Sequence, residues 1–359
     1  MHLRHFTDIW QKLPQEAEFI ERVRAMKAVL GRELLILTHH YQRPEIVALG
    51  DYRGDSFGLS RKAASDREAW FIVFCGVHFM AESAAILAQS HQLVQIPDPK
   101  AGCLMADMAD IHTVESAWEE ITDVTGEEAI LPIVYMNSDA ALKAFCGRHG
   151  GAVCTSSNAG AVLEWGFKTR DKVFFFPDQH LGRNTGNRLG LAPGEMIVWD
   201  PDEPLGGNRP EAVRQAKLIL WDGYCHVHTH FQVNHLLKVR ENLPQARIVV
   251  HPECTEDVVA LADAVGSTGF IAEYVKNAPP QSTIVIGTEI NLVRRLAQEH
   301  PDKEILDLAY SLCPNMFKIN LEKLLGTLEK LGEANVVAVP EPVRAEARLA
   351  LERMLSLPS

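Results

Sequence analysis

The chain alternates short unbroken apolar runs with stretches in which apolar residues recur every three or four positions. The first pattern reads as strands buried on both faces, the second as amphipathic helices. A helix over 15–30 carries Phe19, Ile20, Val23, Met26, Val29 and Leu30 at that spacing. A strand at 34–38 follows and ends in His39-His40-Tyr41-Gln42; Pro44 then opens a short helix, and Gly54-Asp55-Ser56 leads into another. A strand at 70–74 ends in Cys75-Gly76-Val77-His78, a helix covers about 80–89, and a further apolar run leads to Cys103.

The pattern then restarts twice. The second round has a strand at 130–134 ending in Tyr135-Met136-Asn137 and a helix around 140–145. Cys154-Thr155-Ser156-Ser157-Asn158 precedes a helix at 159–165, a strand covers 172–176, and the run 217–220 leads to Cys225. The third has a strand at 246–250 ending in His251-Pro252-Glu253. Gly266-Ser267-Thr268 comes before a helix at 269–277, and a strand at 283–286 ends in Gly287-Thr288-Glu289. A helix at 291–299 then leads to the apolar run before Cys313. Helices at about 321–331 and 342–357 close the chain, with a short apolar run at 336–339 between them.

Strands alternating with helices imply parallel sheets with crossover helices. The expected fold is therefore three related three-layer α/β domains: 31–110 with the helix 15–30 before it, 111–227, and 228–318. Residues 319–359 form helices packing back on the body. The middle round is longest, and its surplus at 183–210 is rich in glycine and proline, which predicts an irregular surface insertion.

Composition narrows the function. The formal net charge of −12 argues against nucleic-acid binding, which calls for a basic stripe. No apolar run is long enough to span a membrane, and Met1-His2-Leu3-Arg4-His5 lacks the apolar core of a secretory signal, so a cytoplasmic protein is expected. Seven cysteines without a CxxC pair then point to metal binding or catalysis rather than to a disulfide frame.

In parallel α/β units ligands gather beyond the C-terminal strand ends. Cys103, Cys225 and Cys313 close the three rounds at equivalent places, and three thiolates can hold zinc or an iron–sulfur cluster. A [4Fe–4S] cluster held by only three thiolates would keep one iron open as a Lewis acid. Cys75, Cys154 and Cys254 are second choices, and Cys146 reads as core. Ser56, Ser156 and Ser267-Thr268 read as helix N-caps, whose free N–H groups suit carboxylates or a phosphate. His39, Tyr41, Tyr135, Asn137, His228, His251 and Glu253 are candidate proton donors, acceptors and orienting groups, with His40, His78 and His180 behind them.

Taken together, His39-His40-Tyr41-Gln42, Gly54-Asp55-Ser56, Cys75-Gly76-Val77-His78, Cys154-Thr155-Ser156-Ser157-Asn158, Pro177-Asp178-Gln179-His180, His251-Pro252-Glu253-Cys254 and Cys313-Pro314-Asn315-Met316 closely resemble the quinolinate synthase family. The resemblance runs over about 33–318. It implies a triangle of α/β domains around a [4Fe–4S] cluster, and a transferase that condenses iminoaspartate with dihydroxyacetone phosphate to quinolinate in NAD biosynthesis. A functional link to an aspartate-oxidising enzyme that supplies iminoaspartate follows from the same resemblance.

Carried over motif by motif, Cys103, Cys225 and Cys313 become the cluster ligands. The substrate contacts become His39, Ser56, Tyr135, Asn137, Ser156, His251, Glu253, Ser267 and Thr268. Tyr41, His228, His251 and Glu253 become the acid–base groups. Some relatives carry extra cysteines just before the last ligand, which suggests a redox switch; Asp307 and Tyr310 stand at those places here and would not supply it, and shorter relatives lack 183–210. Two rivals stand beside this reading: a zinc aldolase built on Cys225 and nearby histidines, and a non-enzymatic iron–sulfur sensor or carrier.

Overall fold

In a computed structural model that describes residues 14–358, the thirteen strands fall into three sheets. The extreme N-terminus, on which the expectation about a secretory signal rests, lies outside the described residues. The first sheet contains β1 (Leu34–His39), β2 (Tyr52–Gly54), β3 (Phe71–Cys75) and β4 (Leu93–Gln95). The second contains β5 (Ile130–Tyr135), β6 (Ala152–Cys154), β7 (Lys172–Phe176), β8 (Met196–Trp199) and β9 (Leu218–Trp221). The third contains β10 (Arg247–Val250), β11 (Ala264–Val265), β12 (Thr283–Gly287) and β13 (Glu304–Asp307).

Strand order repeats: β2-β1-β3-β4, β6-β5-β7-β9-β8 and β11-β10-β12-β13, with every pair within the sheets parallel. Apart from β8 the three sheets share one permutation, so the expected triplicate α/β fold is present. The central strands are buried throughout, as in β1 and β5, which is why they read as continuous apolar runs rather than alternating ones.

The segment 183–210 is not an irregular surface insertion. The helix Gln179–Arg188 enters it, and β8 then pairs along β9 from Met196–Leu218 to Trp199–Trp221. Trp199 is 2% exposed and packs against the turn at Gly206, where φ is +60° and a Cβ would meet the indole at 2.4 Å. Glycine there lets the chain fold over a buried tryptophan. The glycines that suggest a loop in sequence serve a fifth strand.

Apolar periodicity also assigns nothing to 104–128, where Asp110 caps a helix, Ile111–Thr125, that buries Val114, Ala117, Trp118 and Ile121. The last helix, Glu341–Ser356, crosses the helix Ala140–Arg148 so closely that a Cβ on Gly147 would meet the Glu346 carbonyl at 1.9 Å. Arg348 of that helix donates to the Ile86 carbonyl and Arg353 to the Gly151 carbonyl, binding the first domain to the second.

Candidate active site

Each of the three cysteines stands at the front of a turn beyond an equivalent strand: Cys103 after β4, Cys225 after β9, Cys313 after β13. Cys103 and Cys313 run into 3-10 turns, Ala106–Met108 and Met316–Lys318, which bring the N–H groups of Met105 and Ala106, and of Asn315 and Met316, to the sulfurs. Cys225 precedes the turn His226–Thr229. Side chains tie these loops together across domains. Trp221 Nε1 donates to the Met108 carbonyl at 2.8 Å, Ser311 Oγ to the Val227 carbonyl at 2.7 Å, and Gln42 Nε2 to the Met316 carbonyl at 3.2 Å.

Of the seven cysteines, these three alone are partly exposed; Cys75, Cys146, Cys154 and Cys254 are fully buried in the cores. Burial pushes the Cys103 thiol up to about 12 and the Cys313 thiol to about 11, and raises Cys225 well above its ordinary value. The thiols oppose one another's ionisation, Cys225 feeling both Cys103 and Cys313. Three thiols that line one cavity and oppose one another's ionisation, two of them receiving backbone N–H groups, suit a cationic centre shared among them. The donor set fits an iron–sulfur cluster.

A second set could hold a single ion, since Cys225, His228 and Glu253 offer ligand atoms within 4.8 Å of one another. Both nitrogens of His228 are already engaged there, Nδ1 with Glu253 Oε2 at 2.6 Å and Nε2 with the Tyr41 hydroxyl at 3.1 Å. A zinc ion would have to displace one of them. The three-thiol set has no such competitor.

The three cysteines share one cavity, with an empty volume of about 680 Å³, with His39, Tyr41, Ser56, Tyr135, Asn137, Ser156, His228, His251, Glu253 and Thr268. These come from the C-terminal strand ends or the helix starts that follow them. Glu253 sits at the middle of the acid–base group. Its Oε1 accepts from the Tyr135 hydroxyl and its Oε2 from His228 Nδ1. Burial alone would push this carboxyl up; the His228 and His251 rings and those two donors reverse the shift and hold it at about 2. The Glu253 side chain is therefore a carboxylate.

His39 Nδ1 accepts the Tyr41 N–H at 3.2 Å, and His251 Nδ1 accepts the Glu253 N–H at 3.3 Å. Each ring consequently keeps its proton on Nε2. Burial holds both rings neutral, His39 at about 4 and His251 at about 3, and His251 stacks on His228 with centroids 4.2 Å apart.

Helix capping differs from the expectation. Asp55, not Ser56, caps the helix Ser56–Ser65, and Asn158, not Ser156, stands before the helix Ala159–Thr169. Ser267 does cap the helix Thr268–Asn277, with its hydroxyl occupied by the Phe270 N–H, and it does not line the cavity; Thr268 does. Ser56 and Thr268 are thus equivalent first-turn residues facing the cavity. Of the weaker histidines, His40 accepts from Arg295 Nη2 at 3.0 Å and His78 lies 3.9 Å from Glu82; neither these nor His180 lines the cavity.

Four polar residues escape sequence reasoning. Asp55 lines the cavity and accepts from Ser157 Oγ. Asn184 donates to the carbonyls of Pro252 and Cys254. Thr288 bonds the Tyr41 hydroxyl. Glu289, raised by burial to about 8, accepts the Cys313 N–H. Asp55, Thr288 and Glu289 follow strand ends in sequence, the same signal that marks His39 and His251. Asn184 carries no such signal.

The family model for the quinolinate synthetase A protein (NadA) matches residues 21–356. The chain belongs to this family. Among quinolinate synthetase A relatives, the quinolinate synthase of Geobacillus thermodenitrificans is 51% identical over 346 residues, covering 95% of this chain and 94% of that protein. The quinolinate synthases of Corynebacterium glutamicum and Halalkalibacterium halodurans are each 48% identical, over 97% of this chain and over 91% and 95% of their own lengths. Among the described residues no helix is long and apolar enough to cross a membrane.

Proposed function

We propose that this chain is a quinolinate synthase, condensing iminoaspartate with dihydroxyacetone phosphate to quinolinate, phosphate and two waters, with Cys103, Cys225 and Cys313 holding a [4Fe–4S] cluster. Atoms balance without an external oxidant. The observation that carries the reading is the convergence of the three partly exposed cysteines on the cavity that also holds Glu253, Tyr41 and the histidines. A bound cluster with one iron open would supply Lewis acidity toward a hydroxyl or carbonyl oxygen.

The chain's own groups divide the remaining work. The helix starts at Ser56 and Thr268 offer hydroxyls and first-turn N–H groups to carboxylates or the phosphate. His39 and His251, neutral with the proton on Nε2, donate to substrate oxygens without adding charge. Tyr135, Asn137 and Ser156 complete the polar wall. The Glu253 carboxylate takes protons through His228, and Tyr41 lies next along that line. An enzyme that oxidises aspartate would supply the iminoaspartate, and a cytoplasmic setting suits thiolate ligands.

Anaerobic purification followed by iron and sulfide analysis and a quinolinate assay tests the reading. We expect a brown protein with roughly four irons and four sulfides per chain that forms quinolinate from the two substrates. A colourless zinc protein would refute the cluster. A loaded protein without turnover would favour a sensor or carrier.

A further inference from the structure

Among the described residues the cavity is lined by no lysine or arginine, while two carboxyl groups, Asp55 and Glu253, face it. Such a lining offers no cation to the anions that the proposed reaction consumes, in a chain whose formal net charge is already −12. Helix starts offset part of this. A buried cation behind the wall would offset more, because charges act over longer distances where water is excluded.

Lys143 and Arg295 are the buried lysine and arginine among the described residues. Arg295 is neutralised in place: Glu299 accepts from its Nη1 at 3.0 Å, with Arg53 on the other carboxylate oxygen. Lys143 is different. Its ammonium is fully buried and donates to the Ser138 carbonyl at 2.5 Å, with no carboxylate of the described residues in ion-pair contact. Glu82 and Asp139 act on it only from farther away. It sits in the first turn of the helix Ala140–Arg148, where the helix dipole disfavours a positive charge and burial disfavours it again. A methionine would fill a similar volume at less cost, so packing alone does not account for a lysine.

Its surroundings lead to the cavity. The ammonium lies 5.5 Å from the centre of the Phe79 ring, and Phe79 lines the cavity together with Cys103. Ser138, which accepts its hydrogen bond, follows the lining residue Asn137 and donates from Oγ to the Tyr135 carbonyl at 2.9 Å. A single layer of side chains therefore separates the charge from the substrate space. Burial lowers Lys143 to about 8, so the ammonium remains the main form at neutral pH.

We propose that Lys143 is a positioning residue for anions: acting from behind Phe79 and the Asn137–Ser138 turn, its buried charge gives the cavity the positive potential that holds carboxylate and phosphate groups there. This deepens the quinolinate synthase reading, on which the identity of the anions rests. The potential itself does not depend on that reading.

Two readouts in the full chain test it. In iron-free protein, iodoacetate and iodoacetamide alkylate the same thiolate, one reagent anionic and the other neutral. The ratio of their rates at Cys103, read by peptide mapping, cancels the thiol's ionisation and exposure and reports the potential beside it. A unit charge about 10 Å away at an effective dielectric of about 20 changes the rate of a charged reagent roughly tenfold, so Lys143→Met should lower the ratio about 3- to 10-fold. Lys143→Gln, which is neutral but still offers an N–H, should lower it likewise. In the iron-loaded enzyme, Lys143→Met should raise KM for both anionic substrates about 3- to 10-fold and keep kcat within about threefold, as for an interaction equal in ground and transition states.

An unchanged ratio in Lys143→Met would overturn the proposal. So would a wild-type ratio in Lys143→Gln, which would assign the effect to the Ser138 hydrogen bond rather than to the charge. The ratio needs neither cluster nor turnover, so it decides the role of Lys143 even if the wild-type chain proves not to make quinolinate. In a wild type that does make it, an unmoved ratio sinks Lys143 alone and leaves the quinolinate synthase reading standing.

Discussion

Asn184 holds Glu253 from both sides. Its Nδ2 donates to the carbonyls of Pro252 and Cys254, the residues flanking Glu253, at 2.9 and 2.8 Å, and its side chain is nearly buried. A residue of the second domain therefore fixes the turn that carries the central carboxylate of the third.

Asn184→Ala should leave two carbonyls without partners, and an unsatisfied buried acceptor costs about 1–3 kcal/mol. We expect unfolding in urea to show a loss of roughly 2–3 kcal/mol and turnover to drop as Glu253 loses its register. Wild-type stability and rate would show that water replaces the amide. Trimming 183–210 to a short bridge, harmless if that segment were a surface loop, should instead give protein that cannot be loaded with iron, since it removes β8 and Asn184 together.

The cysteines separate into two classes. Cys103→Ala, Cys225→Ala and Cys313→Ala should each lose the cluster and activity, because two thiolates hold it poorly. Cys75→Ala, Cys146→Ala, Cys154→Ala and Cys254→Ala should keep their iron while losing roughly 1–2 kcal/mol of stability from the fully buried cores. Iron analysis after anaerobic reconstitution distinguishes them. A full complement in any of the first three would dismiss that residue as a ligand.

The strand ends were legible because parallel strands buried on both faces read as apolar runs, so His39, Tyr135 and His251 mark the points where burial stops. The cysteines were legible because they repeat at one topological place. β2, β6 and β11 were not, since two or three residues show no period. β8 was hidden by glycines that sequence associates with loops, although Gly206 is there to admit Trp199. The cross-domain bonds could not be read at all. Asn184 lies 68 residues from Pro252, and Thr288 lies 247 from Tyr41, so only the assembled triangle brings them together.

Lys143 supplies a pH signature away from the cysteines. It is fully buried, donates to the Ser138 carbonyl at 2.5 Å and lies over the Phe79 ring, and burial pulls it from 10.5 to about 8. Between those values the unfolded chain binds the proton and the folded chain does not, so Lys143 makes stability rise with pH. Relative to Lys143→Met, the wild-type protein should gain about 2 kcal/mol in urea unfolding between about pH 7.5 and 9.5. Taking the difference cancels the thiols, which act in the opposite sense above their ordinary value. A difference that stays flat would mean that Lys143 titrates as an exposed lysine.

Glu253→Gln tests the chemistry most sharply. The carboxylate accepts from two donors, the Tyr135 hydroxyl on one oxygen and His228 Nδ1 on the other. A glutamine has one oxygen and one NH₂ group, so it cannot accept from both. If its amide nitrogen turns to His228, the ring must accept on Nδ1 and carry its proton on Nε2. Tyr41 can then no longer donate to that nitrogen. If it turns to Tyr135, the phenol must reverse and the charge beside His228 is still gone. Either way the proton line from Glu253 to Tyr41 is broken while the side chain keeps its size. Positioned acid–base groups contribute about 10² to 10⁴ in rate, so kcat should fall at least about a hundredfold. Iron content and the cluster's absorbance should stay near wild type, because Glu253 is not one of the three thiol ligands, and substrate should still perturb that absorbance. Turnover within a few-fold of wild type would reduce Glu253 to a support for its neighbours and move the proton chemistry to Tyr41 or to a histidine.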